Sequence, residues 1–129
     1  MKYNDATSNR PEGERVLNDN TVKIDLPNNI TEILNEDSWN KNDRNSITLF
    51  KNGTTSIVLV ALHELAELLP HEAEGTMCFH VLEGSFEMVM EGNIQTIYKE
   101  QILAVNKGIF YSGKALEKTI ILLTVTDID

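Results

Sequence analysis

The chain has 129 residues, enough for one hydrophobic core and too few for two. It carries 20 acidic against 11 basic residues, for a formal net charge of −9. With no cluster of Lys and Arg, nucleic acid and anionic membrane surfaces are not expected partners, and its single cysteine, Cys78, allows no intrachain disulfide.

Residues 1–15 are polar and include Ser8, Pro11 and Gly13, which reads as a flexible tail. The N-terminus has no apolar signal-peptide core. The longest apolar runs, Ile57 to Leu62 and Ile120 to Leu123, are too short to span a bilayer. A cytoplasmic protein is expected, with Cys78 kept as a thiol. Residues 16–45 read as an N-terminal extension. Val16 to Asp25 alternates weakly, which predicts an edge strand. Pro27 is placed to open a short helix, where its missing N–H costs little. Ile30, Ile33 and Leu34 then share one helical face. Trp39 is expected to anchor this segment, and Asn40 to Asn45 reads as a charged turn.

From Ser46 the period changes to two, and residues 46–129 read as a β-barrel domain. Ile47 to Phe50 is a predicted strand, and Asn52-Gly53 is a strong hairpin turn. Thr55 to Glu64 is the next, with Leu65 to Leu69 continuing it after a bend. Met77 to Leu82, Ser85 to Glu91, Ile94 to Tyr98, Gln101 to Val105 and Lys118 to Thr126 follow. Gly92-Asn93 and Gly108 mark turns. Short strands separated by tight turns imply a sandwich or barrel. Ile57 to Leu62 and Ile120 to Leu123 are apolar on both faces, so their outer faces need a cover. A helix of the extension is expected to cover part, and a second subunit the rest. A homodimer is therefore expected.

The stretch Pro70-His71-Glu72-Ala73-Glu74-Gly75-Thr76-Met77-Cys78-Phe79-His80-Val81-Leu82-Glu83-Gly84 leads into an acidic hairpin, with Gly108 and Tyr111 downstream. On these residues the region from Ser46 to Thr126 resembles the cupin superfamily, in particular small single-domain bacterial cupins. The resemblance implies an all-β fold: a cupin-type double-stranded β-helix, or jelly-roll barrel. Here it would carry an N-terminal extension containing a short helix. In the first cupin motif two histidines are followed by a glutamate and then a glycine. Those places hold His71, Ala73, Met77 and Gly84. The places of the second motif hold Glu100, Asn106, Gly108 and Tyr111. Leu65 and Glu100 stand where cupins usually have turn glycines, and Ala115 where the second motif usually has asparagine.

A divalent transition metal needs about three protein ligands and an open position. Ala73 has no donor atom, Met77 is a soft thioether, and Tyr111 is a reluctant phenol ligand. His71 alone does not complete a site, so the metal motif reads as degenerate and no cofactor is expected. A divalent transition metal is the alternative.

The resemblance makes His71, Met77, Phe79, Val81 and Tyr111 the expected lining of a small-molecule cavity, apolar with two polar handles. His71 reads as a ligand-binding or catalytic residue, or as a rim histidine held by a hydrogen bond. Tyr111 reads as its partner across the mouth, or as an aromatic filler. By alternation His80 and Cys78 face away from Met77, Phe79 and Val81. His63-Glu64 is not a zinc motif, since Glu67 holds the place of its second histidine. Glu72, Glu74, Glu83 and Glu87 read as a solvated acidic stretch.

Three functions follow. The first is a metal-free small-molecule-binding barrel. The second is an isomerase or dioxygenase, using a metal or His71 and Tyr111 as acid and base. The third is a structural dimerisation module.

Overall fold

The computed structural model describes residues 19–127. The expected tail at 1–15 and positions 16–18 lie outside the described residues. Residues 19–25 alternate in exposure, with Val22 and Ile24 half-buried, but they pair with no strand. The expected edge strand is therefore absent from this part. The segment runs instead into the cap of a helix, α1, at Leu26–Asn35. The Asp25 carboxylate accepts from the Asn28 backbone N–H at 3.2 Å, and Pro27 sits in the first turn as its chemistry predicts. Ile33 is fully buried on the expected face. A second helix, α2, spans Asp37–Lys41 and takes up part of the expected turn. Its acidic start and basic end suit the helix dipole.

Among the described residues, nine strands follow. They are β1 Arg44–Lys51, β2 Thr55–Leu62, β3 Glu67–Glu72, β4 Thr76–Glu83, β5 Ser85–Met90, β6 Asn93–Tyr98, β7 Ile102–Val105, β8 Phe110–Ala115 and β9 Thr119–Thr126. They form two antiparallel sheets, ordered β1-β2-β9-β4-β7 and β3-β8-β5-β6. Leu65 to Leu69 does not prolong β2. After the turn at Leu65 the chain crosses to the second sheet as β3. The pattern understates β8 because Gly113 and Lys114 dilute its apolar character. Gly113 is required there: a Cβ would collide with the Phe86 ring.

The core has two compartments. Val58, Val60, Leu62, Phe79, Val81, Phe86, Met88, Ile121 and Leu123 fill the space between the sheets. On the other side of the five-stranded sheet, Ile33 and Trp39 pack on Ile47, Leu49, Leu59, Ala61 and Ile120. This second cluster explains the strands that are apolar on both faces: β2 and β9 are buried on both sides. The helices supply the cover on the β1–β2 side. Buried Asn45 fixes them by donating from Nδ2 to the Ile33 carbonyl at 2.8 Å and to Glu36 Oε1 at 2.8 Å. The first of these bonds satisfies a carbonyl in the last turn of α1, which the helix itself leaves open.

Leu65 and Glu100 adopt left-handed backbone, with φ of 73° and 70°. These are the two positions where the cupin pattern has glycines, so the turns are kept while the residues that favour them are not. Left-handed backbone costs a non-glycine residue of order 1–3 kcal/mol. Leu65 is 62 % exposed and contributes little packing. Leu65→Gly is expected to raise stability by about 0.5–1 kcal/mol, the strain relieved less the entropy of a new glycine. Urea denaturation measures it; a lower midpoint at unchanged slope would contradict the strain account.

Candidate functional site at the barrel mouth

Along β3, Leu68 stands opposite Gly113 and His71 opposite Tyr111. The register shifts by one residue between these pairs, across Leu69 and Pro70. Simple alternation from buried Leu68 would turn His71 to the outer face. The inserted residue reverses that parity. Pro70 suits the bulge because it has no N–H to place in the ladder. Directly opposed residues share a face, and Tyr111 belongs to the interior cluster. His71 is thereby aimed at the interior from near the end of its strand.

The His71 side chain is 36 % exposed, and its Nε2 lies 3.1 Å from Glu74 Oε1. Its ring meets Tyr111 edge-on, with centroids 6.4 Å apart and planes at 77°. Tyr111 in turn meets Phe79 edge-on at 5.5 Å and 69°. A continuous contact therefore runs from the rim, through His71 and Tyr111, to the interior. The turn carrying Glu74 is held against the β7–β8 loop by backbone bonds from Ala73 N–H to the Ile109 carbonyl and from Gly108 N–H to the Ala73 carbonyl, at 2.9 and 2.8 Å. Glu74 was grouped by sequence with solvated acids. Its place beside His71 depends on that turn; the three-residue spacing is the only signal the sequence offered.

Met77, Phe79 and Val81 all face inward and are buried. His80 and Cys78 lie on the opposite face, partly exposed, as alternation requires. Met77, Phe79 and Val81 are each at most 1 % exposed. The cavity bounded by Val60, Leu62, Leu68, Phe79, Ile121 and Leu123 measures about 10 Å³, no more than a water molecule. A larger groove of about 320 Å³ lies outside the barrel, over Leu69, Pro70, Glu87, Val89 and Lys114. No sequence pattern pointed to it.

His63 has a structural position. Its ring stacks on Trp39 with centroids 3.5 Å apart, and its Nε2–H donates to the Trp39 carbonyl at 2.7 Å. It ties α2 to the end of β2 and takes no part in the mouth.

The donor set at the mouth does not fit a metal. Ala73 and Met77 are buried and bring no oxygen or nitrogen donor. Tyr111 is packed between Phe79 and His71, and His71 Nε2 is engaged by Glu74. Among the described residues, no group of three or more His, Cys, Asp or Glu side chains converges on a metal position.

No family model matches the chain, and no curated protein matches it in sequence. Solved structures do match. A cupin superfamily protein from Desulfitobacterium hafniense is similar at a TM-score of 0.65 and 17 % identity, over 68 % of this chain and 80 % of its own. A cupin-2 domain protein from Shewanella frigidimarina gives 0.63 and 18 %, over 80 % and 93 %. The chain has a cupin fold. A conserved protein of unknown function from Streptococcus pyogenes, at a TM-score of 0.69 and 21 % identity, spans 100 % of this chain and 97 % of its own. The likeness therefore reaches beyond the cupin barrel into the N-terminal extension. No helix among the described residues is long and apolar enough to cross a membrane.

Its burial within the interior cluster makes Phe79 a packing residue of the cupin barrel. Phe79→Ala is expected to cost about 3–5 kcal/mol in chemical denaturation. The vacated space should take up benzene, seen as a rise in the melting temperature of this variant and not of the parent. A loss below about 1 kcal/mol would mean that the interior collapses freely around the site.

Proposed function

We propose that this cupin barrel binds a small organic molecule at its mouth without a resident metal. The observation carrying the reading is the convergence of His71, Glu74 and Tyr111 near the end of β3, with His71 partly exposed. Glu74 orients the imidazole, so His71 presents a fixed polar handle. Met77, Phe79 and Val81 form an apolar floor beneath it, with Tyr111 as the wall. The net charge disfavours a strongly anionic ligand. The partly exposed thiol of Cys78 suits a reducing, cytoplasmic setting.

A thermal-shift screen of neutral and cationic metabolite-sized compounds tests this. A true ligand should bind His71→Ala at least tenfold more weakly, a loss of about 1.4 kcal/mol. Equal affinity for parent and variant would remove the mouth as the site. Incubation with zinc, iron, manganese and nickel, then desalting and elemental analysis, should leave no stoichiometric metal. One equivalent of bound metal would overturn the metal-free reading.

A second reading is favoured by a different observation, the cavity of about 10 Å³. A barrel wall with so little space beside Phe79 suits a structural module. It becomes the better account if the screen yields no compound that depends on His71.

A further inference from the structure

Each sheet has two edges, and three of these edges are blunted against pairing with another chain. β1 starts at Arg44 and stops at Lys51. β3 contains Pro70 and a bulge. β7 has only 4 residues. Charge, proline, bulges and short length all discourage edge-to-edge association. β6 has none of these devices. Its sequence, NIQTIY, is uncharged and proline-free, and it pairs with β5 over its whole length without a register shift. Ile94 and Tyr98 are 64 % and 58 % exposed along it.

One turn reveals where its backbone groups point. The Tyr98 N–H donates to Gln101 Oε1 at 2.9 Å, and the Tyr98 carbonyl accepts from Gln101 N–H at 3.0 Å. Both groups of Tyr98 therefore turn away from β5. In an antiparallel ladder the direction alternates residue by residue. The N–H and C=O of Thr96 and Ile94 therefore point the same way, onto an edge with no strand beside it among the described residues.

We propose that two copies of this chain associate by antiparallel pairing of β6 with β6, about a two-fold axis at Gln95. One register uses all the open strand groups and leaves the Tyr98–Gln101 bonds in place. In it, Ile94 exchanges both backbone bonds with the partner's Thr96, and Thr96 with the partner's Ile94. A slip of one residue would oppose groups that already face β5, and would turn apolar side chains to the wrong face. The same register carries its own charge complementarity. Lys99 falls opposite the partner's Glu91, and symmetry repeats the pair. Gln95 meets the partner's Gln95 at the axis, where two amides satisfy each other. Tyr98 lies opposite the partner's Gly92 and diagonal to its Ile94, a favourable aromatic–aliphatic neighbour. The interface is isologous and closes at two copies, so it does not propagate into a fibre. The four-stranded sheets of the two barrels become one continuous sheet.

Sedimentation velocity of the full chain at micromolar concentration tests the proposal, with a dimer expected. Thr96→Pro removes an outward N–H that makes no bond to the described residues, and should give a monomer with near-UV circular dichroism unchanged. Glu91→Lys and Lys99→Glu should each weaken dimerisation several-fold, and the double exchange should restore it. These surface changes keep the test open should the proline variant fail to fold. In a Cys78→Ser background, Gln95→Cys should cross-link under mild oxidation. Opposed Cα atoms of a non-hydrogen-bonded pair lie about 4.5 Å apart, within disulfide reach. A monomeric parent, a folded Thr96→Pro variant that dimerises normally, or a charge exchange without rescue would each overturn the proposal.

Discussion

The constraint on which this structure depends is the need to bury β2 and β9 of the five-stranded sheet on both faces. Val58, Val60 and Leu62 on β2 point into the barrel, while Leu59 and Ala61 between them point out. β9 does the same with Ile121 and Leu123 against Ile120. A barrel alone would leave the second set in water, at roughly 25 cal/mol for each Å² of apolar surface. The N-terminal helices meet that need, and Ile33 and Trp39 are buried as a result. The extension is thus part of the folding unit's energetics, although the barrel has its own interior. Two polar contacts fix where the cover sits: Asn45 to the last turn of α1, and His63 Nε2–H to the Trp39 carbonyl.

The site follows from a smaller constraint, the one-residue insertion in β3. A strand has two faces, and a histidine near its end has two choices. The bulge at Leu69-Pro70 makes the choice by reversing the parity between Leu68 and His71. It also blunts an exposed edge, so one local irregularity serves both aim and solubility. The neighbouring turn then brings Glu74 to the imidazole. A histidine held in this way is a better handle than one free to rotate, because the ordering entropy is already spent before a ligand arrives.

The interior packing runs through the positions that the cupin resemblance assigns to metal ligands. The positions resembling metal ligands hold Ala73, Met77 and Tyr111, and all three are buried. Met77 and Tyr111 are large and apolar over most of their surface. They join Phe79 and Val81 in one packed cluster, where polar donors would need partners of their own. Fold and site are separable here, as they are in other widely used architectures.

Much of this was legible in the sequence. Period-two alternation located seven of the strands to within a few residues, because each faces the core with every second side chain. The same alternation separated Met77, Phe79 and Val81 from Cys78 and His80. The helix at Pro27 followed from the proline at its start and from its apolar face. Spacing against a known family led to His71 and Tyr111, and the left-handed turns at Leu65 and Glu100 agree with that alignment despite the missing glycines. What the sequence could not decide is long-range. Residues 19–25 of the expected edge strand found no ladder partner, and β3 left its neighbour for the opposite sheet. The packing of the interior, the pairing of His71 with Glu74 and the cover over β2 each join residues from separate elements. Local pattern determines which face a side chain takes within its own strand or helix. Only the packed tertiary structure decides what that face meets, because contact partners are set by the summed geometry of both sheets.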